Sequence, residues 1–175
     1  MDPRRVAALQ YYIRPVSSFG DFADQVTALV AAAADYRSRL VVFPEYFTTQ
    51  LLTLGDLDEP IDRQVRRLPD HVPDYIDLFE RLARKHDVHI VAGTILDRAG
   101  PERGPDALHN DAYVFSPSGS HGIQGKLHMT QFEKEEWRIT PRDRMRVFET
   151  AIGRFAVAIC YDVEFPEIAR AAARE

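Results

Sequence analysis

The chain has 175 residues, 45% hydrophobic and 28% charged, a composition that supports one globular domain with a sizeable core. Lys and Arg number 22 against 27 Asp and Glu, and the resulting net charge of -5 offers no general attraction to phosphate backbones or anionic lipid. The longest apolar run, Val26 to Ala34 around Thr27, is far short of the roughly 20 residues that cross a bilayer. Neither nucleic acid nor a membrane is therefore an expected partner.

At the N-terminus, Arg4 and Arg5 precede Val6-Ala7-Ala8-Leu9, but Gln10 and Arg14 interrupt the apolar stretch before it reaches the length of a secretory signal. A strand and a cytoplasmic location are expected. The single cysteine, Cys160, excludes an intrachain disulfide and suits a reducing compartment. Such a residue is either a small buried hydrophobe or a working thiol, and its surroundings decide between them.

In chain order, Arg5 to Tyr12 reads as a strand. Phe19 to Tyr36, with apolar residues at 22, 26, 29, 30 and 33, reads as a helix with Asp21 as a cap near its start. Leu40-Val41-Val42-Phe43 is a short continuous apolar strand stopped by Pro44, of the kind buried on both faces of a sheet. Residues 48 to 70 show no clear period and hold Gly55, Pro60 and Pro69, which indicates a loop with short helical turns. Pro73 to His86 reads as a helix whose Arg84-Lys85-His86 end suits the negative pole of the helix dipole.

Val88 to Gly93 follows as a strand, then a turn-rich break from Gly100 to Pro105. Asn110 to Phe115 and Ser120 to Lys126 form a predicted hairpin around Ser116-Pro117-Ser118-Gly119. Arg146 to Glu149 and Gly153 to Cys160 form a second strand pair, and Pro166 opens a helix that runs to the end. Alternating strands and helices, then hairpins, predict an α/β layered domain with a mixed sheet. A single domain over 1–175 is expected, with no repeat or low-complexity tract.

Three residues stand at predicted strand ends. Cys160 precedes the turn Tyr161-Asp162-Val163-Glu164-Phe165-Pro166, so its thiol would occupy a strand-to-helix elbow of the kind that exposes nucleophiles. There a backbone N–H can face a developing oxyanion, and Tyr161 is the candidate donor. Glu45 follows Phe43-Pro44, where a partly desolvated carboxylate can move a proton to or from a thiol. Lys126 ends the strand before Leu127-His128, where an ammonium favours a neighbouring thiolate and stabilises an oxyanion. Taken singly, each has a plainer reading: a core cysteine, a solvated loop glutamate and a surface lysine. Convergence at one sheet edge, where open α/β sheets bind ligands, would join them.

The blocks Val41-Val42-Phe43-Pro44-Glu45-Tyr46-Phe47, Gly125-Lys126-Leu127-His128-Met129-Thr130 and Ala158-Ile159-Cys160-Tyr161-Asp162-Val163-Glu164-Phe165-Pro166-Glu167 resemble, in order and spacing, the three signature blocks of the nitrilase superfamily of carbon-nitrogen hydrolases. The run from Phe132 to Ile139 is most similar to a branch in which some members carry a fused acetyltransferase domain, for which this chain has no room. The resemblance implies a four-layer α-β-β-α sandwich, here lacking its C-terminal part, and a thiol-dependent hydrolysis of a linear amide or carbamoyl compound. It assigns Glu45 as general base, Lys126 as stabiliser of the tetrahedral intermediate and Cys160 as the nucleophile that becomes a thioester. A second glutamate that positions substrate or assists proton transfer is matched best by Glu133, with Glu135 and Glu136 as rivals. An acyltransferase using the same thioester, or a silent assembly module, remains an alternative.

The resemblance also implies a small-molecule amide substrate and a homo-oligomer. No cofactor and no metal are expected, since the sequence holds neither an HExxH motif nor Cys-rich spacing. Asp162, Glu167 and Arg170 are expected to brace the final turn and helix by ion pairing, and His128 either lines the pocket or is hidden by strand geometry.

Overall fold

The computed structural model describes residues 4–98 and 107–175. The predicted break from Gly100 to Pro105 lies outside the described residues. One six-stranded mixed sheet is built from β1 (Arg5–Ala8), β2 (Ser38–Val42), β3 (His89–Val91), β4 (Ile95–Arg98), β5 (Leu108–Phe115) and β6 (His121–Gly125). Strands β1, β2 and β3 are parallel neighbours, and β5 runs antiparallel to β3, β4 and β6.

β3 and β4 lie one after the other along the same edge of β5, with Val91 opposite Val114 and Ile95 opposite Asp111, while β6 takes the other edge. The interruption between them falls at Ala92-Gly93-Thr94. Gly93 has φ +59°, and a Cβ there would stand 2.3 Å from the Pro44 carbonyl oxygen and 2.7 Å from the Phe47 ring. Only glycine combines that conformation with so close an approach.

Helices α1 (Phe19–Asp35) and α3 (Val72–His86) pack against the sheet. They bury Phe22, Val26, Val30 and Ala33 from α1, and Tyr75, Leu78, Phe79, Leu82 and Ala83 from α3. The cap of α1 is Ser18, whose hydroxyl accepts from the Asp21 N–H, rather than Asp21 itself; the Asp21 carboxylate accepts instead from Ser17 N–H at 2.8 Å. The first strand stops at Ala8 rather than Tyr12, although Leu9 N–H still reaches the Val42 carbonyl at 2.9 Å.

The stretch read as a loop with helical turns holds 3-10 segments at Phe47–Leu54 and Leu68–His71 and the short α2 (Ile61–Val65). A further short helix, α4 (Gln131–Glu135), follows β6 and was not foreseen. Its sequence signal was present, because Thr130 and Glu133 form a capping box.

β7 (Val147–Thr150) and β8 (Gly153–Ala156) form a separate antiparallel pair, a piece of the second sheet of the expected sandwich. It meets the first sheet where the Phe148 ring lies over Gly122 and where Arg146 N–H donates to Gln124 Oε1 at 2.7 Å. The strand expected to run into Cys160 ends at Ala156, four residues early. The reason lies in the backbone bonds: Ile159 N–H and C=O both turn to Asp162 instead of continuing a ladder. The chain closes with α5 (Pro166–Arg174).

Candidate functional site

β2 and β6 point the same way, so their C-terminal ends share one edge of the sheet. Phe43 at the end of β2 is buried among Phe47 at 4.9 Å and Phe79 at 5.4 Å between ring centroids, and this aromatic packing fixes the Pro44-Glu45 exit. Tyr46, with φ +58°, reverses the chain, its N–H held by Thr94 Oγ1 at 2.9 Å. Glu45 thus stands at the sheet edge with its side chain 18% exposed.

Lys126 leaves β6 immediately after Gly125, with its own N–H on the Asn110 carbonyl at 2.8 Å. Its side chain is 1% exposed, and Nζ donates to Glu45 Oε1 at 2.8 Å and to Glu133 Oε1 and Oε2 at 2.9 and 2.8 Å. Burial alone would depress this ammonium, but the two carboxylates outweigh it and hold the lysine pKa above its ordinary value.

Glu133 is the glutamate that the structure brings to Lys126; Glu135 and Glu136 are exposed. It accepts six hydrogen bonds: two from Nζ, one each from Tyr46 OH at 2.5 Å and Asn110 Nδ2 at 3.3 Å, and one each from the N–H and hydroxyl of Thr130 at 2.9 Å. Burial pushes its pKa upward, yet this set of donors overcomes the burial and lowers it. The same carboxylate is the partner in the capping box of α4, so helix capping and lysine binding are one arrangement.

Asn110 was missed by sequence reasoning. From β5 its amide donates to Glu45 Oε1 at 2.9 Å as well as to Glu133, so Glu45 Oε1 accepts from both Nζ and Nδ2. Tyr46 was missed as well: besides its bond to Glu133, its ring lies 5.9 Å from Nζ and meets Trp137 edge-on at 5.2 Å. The signal for Asn110 was the polar run His109-Asn110-Asp111 inside a strand, since buried polar groups require partners. Its burial, however, depends on neighbours on both faces that the sequence does not display.

Cys160 is exposed, with φ +48°, and begins a 3-10 turn, Cys160–Glu164. Glu45 and Lys126 both act electrostatically on its thiol, and the Tyr161 backbone N–H favours the ionised sulfur. The lysine favours the thiolate as expected, but it is outweighed. Partial burial and the Glu45 carboxylate raise the thiol pKa more than Lys126 and the Tyr161 N–H lower it. The resting site is thus a thiol beside a carboxylate.

The expected ion-pair bracing is also different in kind. Arg170 pairs with Glu167 at 3.3 Å on the exposed face of α5, whereas Asp162 is 1% exposed and accepts backbone N–H groups. These come from His128 at 2.8 Å and from Leu127 and Ile159 at 3.3 Å, and His128 Nδ1 lies 3.0 Å away. His128 is partly exposed and stacks on Phe165, and with Met129, Gln131, Lys134 and Tyr161 these rings line a cavity of about 490 Å³ beside the Cys160 turn. Among the described residues, no cluster of three or more His, Cys, Asp or Glu could hold a metal, and no helix is long and apolar enough to cross a membrane.

Comparison with known proteins bears on this geometry. Residues 5–175 match the carbon-nitrogen hydrolase family. A Bacillus subtilis protein described as probable hydrolase YhcX is 41% identical over 172 residues, 98% of this chain and 32% of that protein. Among solved structures, Saccharomyces cerevisiae Nit3, a member of branch 10 of the nitrilase superfamily, superposes with a TM-score of 0.76 at 24% identity over 98% of this chain and 60% of its own. An amidase variant from Nesterenkonia sp. AN1, solved with acrylamide added to its active-site cysteine, gives a TM-score of 0.75 at 23% identity over 98% and 63%. The chain spans less than two thirds of each of these proteins.

Proposed function

Because this chain belongs to the carbon-nitrogen hydrolase family, we propose that it contributes the site at which a linear amide or carbamoyl compound is cleaved through a thioester on Cys160. The observation that carries this reading is that Glu45, bonded to Lys126 Nζ at 2.8 Å, is also the charged group that raises the pKa of the exposed Cys160 thiol. Each member alone has a plain structural use. Together, beside an exposed sulfur, they match nucleophilic catalysis with an adjacent base.

In this mechanism Glu45 takes the thiol proton as sulfur attacks the carbonyl carbon. The Nδ2 and Nζ bonds to Oε1 leave Oε2 as the less encumbered oxygen for that proton. Lys126 Nζ and the Tyr161 N–H stabilise the oxyanion that forms. Collapse of the intermediate expels the amine, which collects the proton from Glu45, and leaves the acyl group on sulfur. Water then attacks the thioester with Glu45 again as base, releasing the acid and restoring the thiol. Glu133, saturated with donors, stays ionised and anchors the lysine rather than carrying protons.

The test is to incubate the protein with a panel of small amides and carbamoyl compounds, follow ammonia release, and search by intact mass for an acyl adduct on Cys160. Turnover lost in Cys160→Ala, with an adduct in the unaltered protein, supports the reading. Release of ammonia that is unchanged in Cys160→Ala sinks it.

A further inference from the structure

We propose that Asp162 is a positioning residue that holds the Cys160 sulfur in register with Glu45 and Lys126; this rests on the nucleophile reading of Cys160 given above. The starting observation is the backbone of Cys160. Its φ of +48° is a left-handed conformation that a residue with a Cβ rarely keeps unless its surroundings enforce it. The preceding strand ends at Ala156 and does not supply that enforcement.

Asp162 is the enforcing group. Its N–H donates to the Ile159 carbonyl at 3.0 Å and its Oδ2 accepts from Ile159 N–H at 3.3 Å, so Cys160 is clasped between the two. The same carboxylate accepts from Leu127 and His128 N–H, the two residues that follow Lys126. One buried anion thus ties the peptide before the nucleophile to the peptides after the lysine. A second grip lies at the end of the turn, where Phe165 stacks on His128 with centroids 3.9 Å apart and planes 15° from parallel. His128 Nδ1 in turn meets Asp162 Oδ1 at 3.0 Å, so both grips share one residue. A residue that only stabilised the fold would not need to contact both catalytic loops at the residues adjoining Cys160 and Lys126.

The consequence is a coupling. Glu45 raises the thiol pKa only while sulfur sits beside it, so releasing the clasp should disconnect the two. The experiment measures the rate of Cys160 alkylation by iodoacetamide against pH in the unaltered chain, Glu45→Gln, Asp162→Asn and the double variant, with circular dichroism confirming equal folding. Glu45→Gln should move the midpoint to lower pH when Asp162 is intact, and that displacement should fall by more than half when Glu45→Gln is introduced into the Asp162→Asn variant. An equal displacement in both backgrounds overturns the proposal. No displacement in either background overturns the nucleophile reading and this inference with it. Should Asp162→Asn fail to fold, Asp162→Glu, which keeps the charge but displaces the carboxylate from the Ile159 N–H, serves in its place, with an undiminished displacement again the refuting result.

Discussion

Replacing Lys126 with Met removes the cation lodged between Glu45 and Glu133 while keeping a side chain of similar length. The ammonium is 1% exposed and bonded to both carboxylates, so its loss leaves buried negative charge. Breaking such a pair from one side costs about 3–5 kcal/mol. Glu133 keeps four of its six hydrogen bonds, from Tyr46, Asn110 and Thr130, and Glu45 keeps that from Asn110. The low end, about 3 kcal/mol, is therefore expected near neutral pH.

The deficit should depend on pH. The lowered pKa of Glu133 contributes stability that is fully present above the ordinary glutamate value and is lost as pH falls through its folded value. In Lys126→Met that depression is weakened, so protonation of the site relieves the repulsion and the deficit shrinks on acidification. Urea unfolding at pH 7 and pH 4, compared with the unaltered chain, measures both quantities. Lys126→Met combined with Glu133→Gln should recover part of the loss at pH 7. A deficit under about 1 kcal/mol, or one of equal size at both pH values, would refute the claim that the lysine neutralises two buried carboxylates.

Glu45→Gln should shift the Cys160 alkylation profile to lower pH, because the carboxylate that raises the thiol is gone, and yet reduce any amide turnover by roughly 10²–10⁴-fold through loss of the base. Parallel loss or parallel gain in both assays would contradict this. Gly93→Ala forces a Cβ to within 2.3 Å of the Pro44 carbonyl at φ +59°, and thermal or urea unfolding should show a loss of roughly 3 kcal/mol, combining left-handed strain with displacement of the Pro44-Glu45 exit. Asn110→Leu removes one donor from each glutamate and should destabilise by about 2–3 kcal/mol at pH 7 in the same assay, with the loss diminishing on acidification.

The elements whose residues carried their own periodicity were legible. The apolar spacing of Phe22, Val26, Val30 and Ala33 placed α1, and the Ser-Pro-Ser-Gly turn placed the hairpin of β5 and β6. The three signature blocks placed Glu45, Lys126 and Cys160 near one another before any coordinates. What was not legible depended on groups distant in sequence. The strand before Cys160 reads as continuous apolar residues, yet its last part is taken over by a carboxylate at Asp162 that also serves Leu127 and His128. The polarity of Asn110 was visible, but not that one amide would meet two glutamates that lie far apart in the sequence.

The raised thiol pKa bears on how such a site would work. A cysteine activated as a resting thiolate needs surrounding positive charge, and Lys126 could have supplied it. Here that charge is already divided between Glu45 and Glu133, with two carboxylates facing one ammonium. Ionising Cys160 would add a third anion, so the site favours the thiol until a substrate carbonyl arrives. Proton transfer to Glu45 as sulfur attacks then leaves the total charge of thiol, carboxylate and carbonyl unchanged, while the negative charge passes from the carboxylate to the carbonyl oxygen, which the ammonium and the Tyr161 N–H can receive. In the proposed mechanism activation is thereby tied to attack, and the heavy hydrogen bonding of Glu133 would serve to keep it an anion that holds the lysine while Glu45 changes protonation state.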